Sequence, residues 1–272
     1  MKSTRLTLAA LILVLSSLAA PVKATCYSTD QSDLWWANPP ASENGWGFQL
    51  VQRCSTIFAT MFVYGPTGAP TWYVATMTPT PPGSLVWSGD LYTTTGPWFG
   101  AVPYNPALFT FRKVGTMTWT PVTVTTGILS YIVDGVGVTK SVIRQTLVAE
   151  NYDGHYGGGI HEVVTGCPNP AFNGTFENIG ILNITQNGAA ITLQSFPATG
   201  GSCSYAGTLS QFGQMGDVIG SYTCSNGDAG AFHLFEMQVT ITGLTGRFAA
   251  ASSSLPGCQA TGWFGGIVVT TF

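Results

Sequence analysis

The chain has 272 residues, only 8% of them charged, with nine Lys and Arg against twelve Asp and Glu for a formal charge of −3. A charge-poor, mildly acidic sequence without a basic patch argues against nucleic acid and anionic membrane surfaces as partners. Six cysteines and no C-x-x-C pair favour disulfides over a zinc site.

The first residues read as a secretory signal. Lys2 and Arg5 supply a positive start, Leu6 to Ala20 form an apolar run, and Val22-Lys23-Ala24 precedes a cleavage point near Ala24. The run is shorter than the roughly 20 residues of a membrane span. Lys23 stands where a lipidation box would need an aliphatic residue. Cleavage of residues 1–24 reduces the nine basic residues to six and leaves all twelve acidic ones, so the mature chain sits near −6. The expected product is secreted, periplasmic or extracellular, with no transmembrane segment.

Beyond the signal, helical periodicity is absent. Short stretches of period-2 alternation recur between Gly, Pro, Asn and Asp. Residues 25–150 form a first, Trp-rich unit with expected strands near 46–52, 56–64, 70–77, 84–92, 107–113, 114–120, 122–133 and 137–148. Residues 65–70 and Asp134-Gly135 read as hairpin turns. Residues 151–272 form a second, rich in Gly and Cys, with strands near 155–164, 175–186, 189–196, 202–209, 217–224, 228–241, 245–251 and 259–270. Asn187-Gly188 and Asn226-Gly227 mark its hairpins, and the dense glycines around Gly154–Gly159 mark the boundary. In the 228–241 strand, Phe235, Met237, Val239 and Ile241 are expected to share one face. The fold class is all-β: two small antiparallel domains, each an eight-stranded calycin-like barrel, with β-sandwiches as the alternative.

The cysteines divide two and four. Cys26 and Cys54 are expected to pair in the first domain. Cys203 opens one expected strand and Cys224 closes another, which leaves Cys167 for Cys258.

Asp33-Leu34-Trp35-Trp36-Ala37-Asn38-Pro39, followed by Ser42-Glu43-Asn44-Gly45-Trp46-Gly47-Phe48, resembles a W-W-x-P…S-x-G-W-G module of secreted proteobacterial proteins of unassigned function. Ile57-Phe58-Ala59-Thr60, Tyr64 and Pro70-Thr71-Trp72-Tyr73 continue the likeness. Extra residues between the Trp pair and Gly45 depart from it. The second half is similar to a Cys-Ser-Tyr-x-Gly…Gly-Ser-Tyr-x-Cys region of like proteins. The resemblance covers most of the mature chain and carries no activity.

Trp35, Trp36, Trp46, Trp72, Tyr73 and Trp87 are the candidate ligand-binding residues, with Tyr92, Trp98 and Phe99 close by. Flat aromatic faces stack on sugars and apolar molecules, although the same residues could fill a barrel interior. Ile57 to Tyr64 is apolar on both faces, which points to packing on both sides or to a cavity wall. Glu43, Asp90 and Glu236 are the weak catalytic candidates, because a glycosidase needs two carboxylates roughly 5–10 Å apart. His155 and His161 lie about 20 Å apart on an ideal strand, too far for one metal, and read with Glu162 as exposed linker residues. His233 reads as a buried, hydrogen-bonded histidine. No G-x-S-x-G elbow is present, and Gly157-Gly158-Gly159 lacks the context of a phosphate loop. Neither metal nor cofactor is expected. The leading expectation is a non-enzymatic binding protein for a saccharide or small apolar ligand. The alternatives are an extracellular polymer hydrolase and a structural or partner-binding surface protein.

Overall fold

The computed structural model describes residues 29–269, and the expected signal peptide and Cys26 lie outside them. Two closed antiparallel barrels follow one another along the chain. The first contains β1 (Asp33–Ala37), β2 (Gly47–Arg53), β3 (Thr56–Tyr64), β4 (Pro70–Pro79), β5 (Trp87–Thr95), β6 (Thr110–Pro121), β7 (Thr126–Val133) and β8 (Val136–Arg144). The second contains β9 (Gly154–Thr165), β10 (Gly174–Asn187), β11 (Ala190–Pro197), β12 (Cys203–Phe212), β13 (Met215–Cys224), β14 (Ala229–Thr240), β15 (Gly243–Ser252) and β16 (Gln259–Val268). Each strand pairs with its sequence neighbours, and β1–β8 and β9–β16 close the rings. This is the up-and-down order, which leaves no free sheet edge. No helix among the described residues is long and apolar enough to cross a membrane.

The hairpin signals hold for physical reasons. Asp134 and Gly135 adopt φ of 49° and 85°, the paired positive values that a two-residue turn between twisted strands requires. Three expectations change. Asp33–Ala37 is a strand, an element absent from the expected set. The segments 107–113 and 114–120 are one strand, β6, preceded by a single 3-10 turn at Pro106–Leu108. Gly115 sits within β6 because a Cβ there would lie 1.9 Å from the Ile132 carbonyl oxygen of β7. Residues 122–125 are a turn, in which the Thr123 hydroxyl accepts the backbone N–H groups of Thr125 and Thr126.

In the first barrel, alternate residues turn inward and fill the centre. Trp35, Phe48, Leu50, Ile57, Met61, Met77, Trp87, Leu91, Met117, Trp119 and Leu129 are all essentially inaccessible. Trp119 meets Trp35 edge to face at 4.6 Å and Phe48 at 5.7 Å between ring centroids. Gly127 makes this possible, since a Cβ there would stand 2.1 Å from the Trp119 ring. The outer face of β3 is exposed: Phe58, Phe62 and Tyr64 point away from the core, with Trp72 opposite Phe62. The doubly apolar strand therefore has one packed face and one open one.

The barrel end nearest the second domain is closed by Arg144, which is wholly buried. Its guanidinium lies over the Trp35 ring at 4.6 Å. It donates to Asp33 (3.0 Å) and to the carbonyls of Asp30, Ser32 and Val124. Burial pulls its pKa down and Asp33 opposes that pull. An Arg keeps its charge even so. Asp33 Oδ2 also accepts the Gln214 backbone N–H, and the Gln214 side chain donates to the Ser32 carbonyl. Thr146 and Glu150 bond to Gln211 across the same junction. One buried ion pair thus joins the barrel end, the N-terminal segment and the turn between β12 and β13.

Removing one member of a buried pair leaves the other charged and desolvated. We expect Arg144→Ala to lower stability by about 3–5 kcal/mol in urea unfolding at neutral pH. Arg144→Lys should restore only part of it, because an ammonium cannot reproduce the four-way fork. A loss below about 1 kcal/mol, the scale of an exposed pair, would contradict this account.

Candidate functional site

The six aromatics singled out in the first barrel do not line one cavity. Trp35 and Trp87 belong to the packed interior, and Trp46 and Tyr73 pack against it. Trp36 is half-buried, and Trp72 is exposed on the outer wall. The interior left open is that of the second barrel.

There the inward stripes contain small residues. Along β9 the inward positions are Tyr156, Gly158, Ile160, Glu162 and Val164. Gly158 pairs with Gly180 on one side and Gly266 on the other. A Cβ on Gly158 would lie 1.9 Å from the Gly265 carbonyl oxygen, and one on Gly180 would lie 2.2 Å from that of Phe196. Only glycine permits the strands to coil this tightly. With Ser195, Ala250, Ser252 and Ala260 also facing inward, a cavity of about 550 Å³ remains. That lies within the usual range for a small-molecule site, about 300–1,000 Å³. Phe176, Phe232, Phe248, Phe264, Leu182 and Leu193 supply its apolar walls. Tyr205 lies 5.7 Å from Tyr222 and edge-on to Phe232 at 5.3 Å.

The two ends differ. Toward the first barrel, Tyr152 is completely buried and donates to the Met237 carbonyl, while Tyr156 donates to the Tyr152 carbonyl. Toward the other end, two disulfides brace the rim. Cys203–Cys224 joins directly opposed residues of β12 and β13, and Cys167–Cys258 ties the segment after β9 to the start of β16. Cys54 is also disulfide-bonded. A 3-10 turn at Pro170–Phe172 brings Phe172 to the mouth.

Two carboxylates face this space. Asp228 at the mouth accepts the hydroxyls of Ser252 (2.6 Å), Ser254 (2.6 Å) and Tyr222 (3.0 Å). Burial pushes its carboxyl up, but these donors outweigh burial and hold it below the ordinary range. Burial, followed by the bond to Asp228, pushes the Tyr222 phenol up to about 12. Glu162 is different. No described residue hydrogen-bonds or ion-pairs with it, and burial alone raises its pKa. Its charge is felt at Tyr205 across the cavity. No Lys, Arg or His lines the walls.

No protein-family model matches the chain, and no curated protein matches it significantly. The site therefore stands on its own geometry.

The three acids proposed from sequence are held by cations or hydroxyls elsewhere. Glu43 pairs with Lys140 and accepts the Trp46 indole N–H, and the Lys140 bond lowers its pKa. Asp90 pairs with Lys113 at 2.7 Å, which lowers its pKa likewise. Glu236 accepts Thr29 and Arg247. It also occupies a β-bulge in β14 at φ 53°. That bulge moves Phe235 to the outer surface while Met237 points inward, so the four residues expected on one face are divided. His233 is on the outside too, paired with Asp217 rather than buried. The histidines of β9 lie on a strand and not in a linker. His155 contacts Asn183, and His161 stacks on Trp263 at 4.0 Å and pairs with Glu177. No three His, Cys, Asp or Glu side chains converge among the described residues as a metal site would need.

Sequence reasoning read Glu162 as an exposed linker residue and passed over Tyr205, Tyr222 and Asp228 as site residues. The signal was present in β9, where Glu162 is the lone acid on an otherwise apolar or glycine period-2 stripe.

A carboxyl raised by burial opposes folding when ionised. That penalty applies in full above the folded-state pKa. It shrinks as pH falls through that value and vanishes below the ordinary value of 4.5. The titratable groups that share the cavity lining with Glu162 are Tyr156, Tyr205, Tyr222 and Asp228, none of them cationic. Glu162→Gln should therefore be more stable than wild type at pH 7, with the gap closing toward pH 4, as followed by denaturant unfolding. Wild type more stable at pH 7 would reveal a partner for Glu162.

Proposed function

We propose that this is an exported, non-enzymatic binding protein that holds a small apolar ligand inside its second barrel. The observation that carries the reading is the contrast between two similar barrels, one filled by Trp35, Trp87 and Trp119 and the other hollow. An eight-stranded barrel is just wide enough either to be filled by side chains or to hold one small molecule. Disulfides at the rim support export, since such bonds persist in oxidising compartments. Phenylalanine and leucine walls suit an apolar body better than a saccharide, which would need many more hydrogen-bonding groups. Glu43, Asp90 and Glu236 lend the hydrolase alternative no support, because each already has its own partners.

A second reading, binding of a protein partner, draws on the exposed Phe58, Phe62, Tyr64 and Trp72 of the first barrel. Exposed apolar patches of this kind mark interaction surfaces.

Filling the cavity tests the first reading. N-phenyl-1-naphthylamine, a neutral probe that brightens in apolar surroundings, should bind the wild type saturably. Ala250→Trp should weaken it by about tenfold or more by occupying the space, while circular dichroism keeps the β-sheet signature. Equal binding by a folded Ala250→Trp would move the site away from this barrel.

A further inference from the structure

The cavity has an uneven chemistry that the apolar reading does not use. Its walls are largely aromatic and aliphatic, with Asn178, Asn226 and Gln259 among them; two carboxylates face it and no basic side chain does. Asp228 has its charge satisfied by three hydroxyls. Glu162 has no such donors among the described residues, and it lies on the inward stripe of β9 between Ile160 and Val164. An acid without a partner in an apolar chamber costs stability. A barrel needs no carboxylate there to close, because the equivalent space in the first barrel is filled by apolar side chains and plugged by an Arg with four partners.

We propose that the second barrel takes an organic cation, a protonated amine on an apolar or aromatic body, with its ammonium against Glu162. The body lies along Phe232, Phe248 and Leu193, and Tyr205 and Tyr222 offer their ring faces to the cation. Charge-assisted hydrogen bonds are about twice as strong as neutral ones. A desolvated cation over an aromatic face adds to that. Asp228 at the mouth, kept anionic by its hydroxyls, favours entry of the same sign of charge. This inference deepens the binding reading above and rests on it.

Three molecules with one indole body decide it: tryptamine, 3-indolepropionate and neutral 3-methylindole. Each is titrated at pH 7 against the oxidised full-length mature protein by displacement of N-phenyl-1-naphthylamine. Tryptamine should displace the probe at about tenfold lower concentration than the acid. Glu162→Gln should erase that preference, read within the variant as the ratio of tryptamine to 3-methylindole displacement. Glu162→Asp should keep part of the preference. Equal or stronger displacement by 3-indolepropionate overturns the cation inference even without a variant, as does a tryptamine preference that survives in Glu162→Gln. Binding of the neutral probe and 3-methylindole with no advantage for the amine defeats the cation inference alone. Failure of the probe itself to bind the wild type defeats both this inference and the reading beneath it.

Discussion

The interior of a closed eight-stranded barrel has a nearly constant cross-section, set by strand number and stagger. What the inward side chains do with that space decides everything else about this molecule. In the first barrel the inward stripes carry Trp35, Trp87 and Trp119 with Phe48, Met61, Met77 and Met117, packed as one buried cluster. In the second the same positions carry glycine, alanine and serine at several levels, and the leftover volume is a chamber. Ring closure is common to both; occupancy separates a packed barrel from a hollow one.

Closure also explains where the polar groups sit. A barrel end must be stoppered or left open, and each barrel is stoppered at the end that meets the other. Arg144 does this for the first, over Trp35 and within a fork of carbonyls and Asp33. Tyr152 and Tyr156 do it for the second, through bonds to main-chain carbonyls. The remaining end of the second barrel is braced by Cys203–Cys224 and Cys167–Cys258. A rim with a hollow beneath it lacks packed side chains to support it, and covalent ties substitute for them.

Much of the architecture was legible because antiparallel strands advertise themselves locally. Alternation and Asn-Gly or Asp-Gly turns located the hairpins, and a meander of hairpins is the order in which both barrels close. The exceptions share one cause. Asp33–Ala37 is a strand because β2 and, about a hundred residues later, β8 pair with it on either side. The Gly154–Gly159 run reads in isolation as the boundary between the units, yet its glycines are paired with β10 or β16. The bulge at Glu236 reverses which side of β14 faces in, and a bulge leaves no trace in a period-2 pattern except the break itself.

The candidate site was less legible than the fold. Aromatic density drew attention to the first domain, but density of large rings is what filling a barrel requires, so it marked the packed barrel and not the hollow one. By itself the sequence determined that the chain is all-β, that it has two units, and that its cysteines divide between them, because those properties follow from local pattern and spacing. Only the tertiary structure decided which interior is empty and that Glu162 faces into it without a partner. Those facts depend on the summed volume and the charges that sixteen strands bring around two axes, and no single segment contains them.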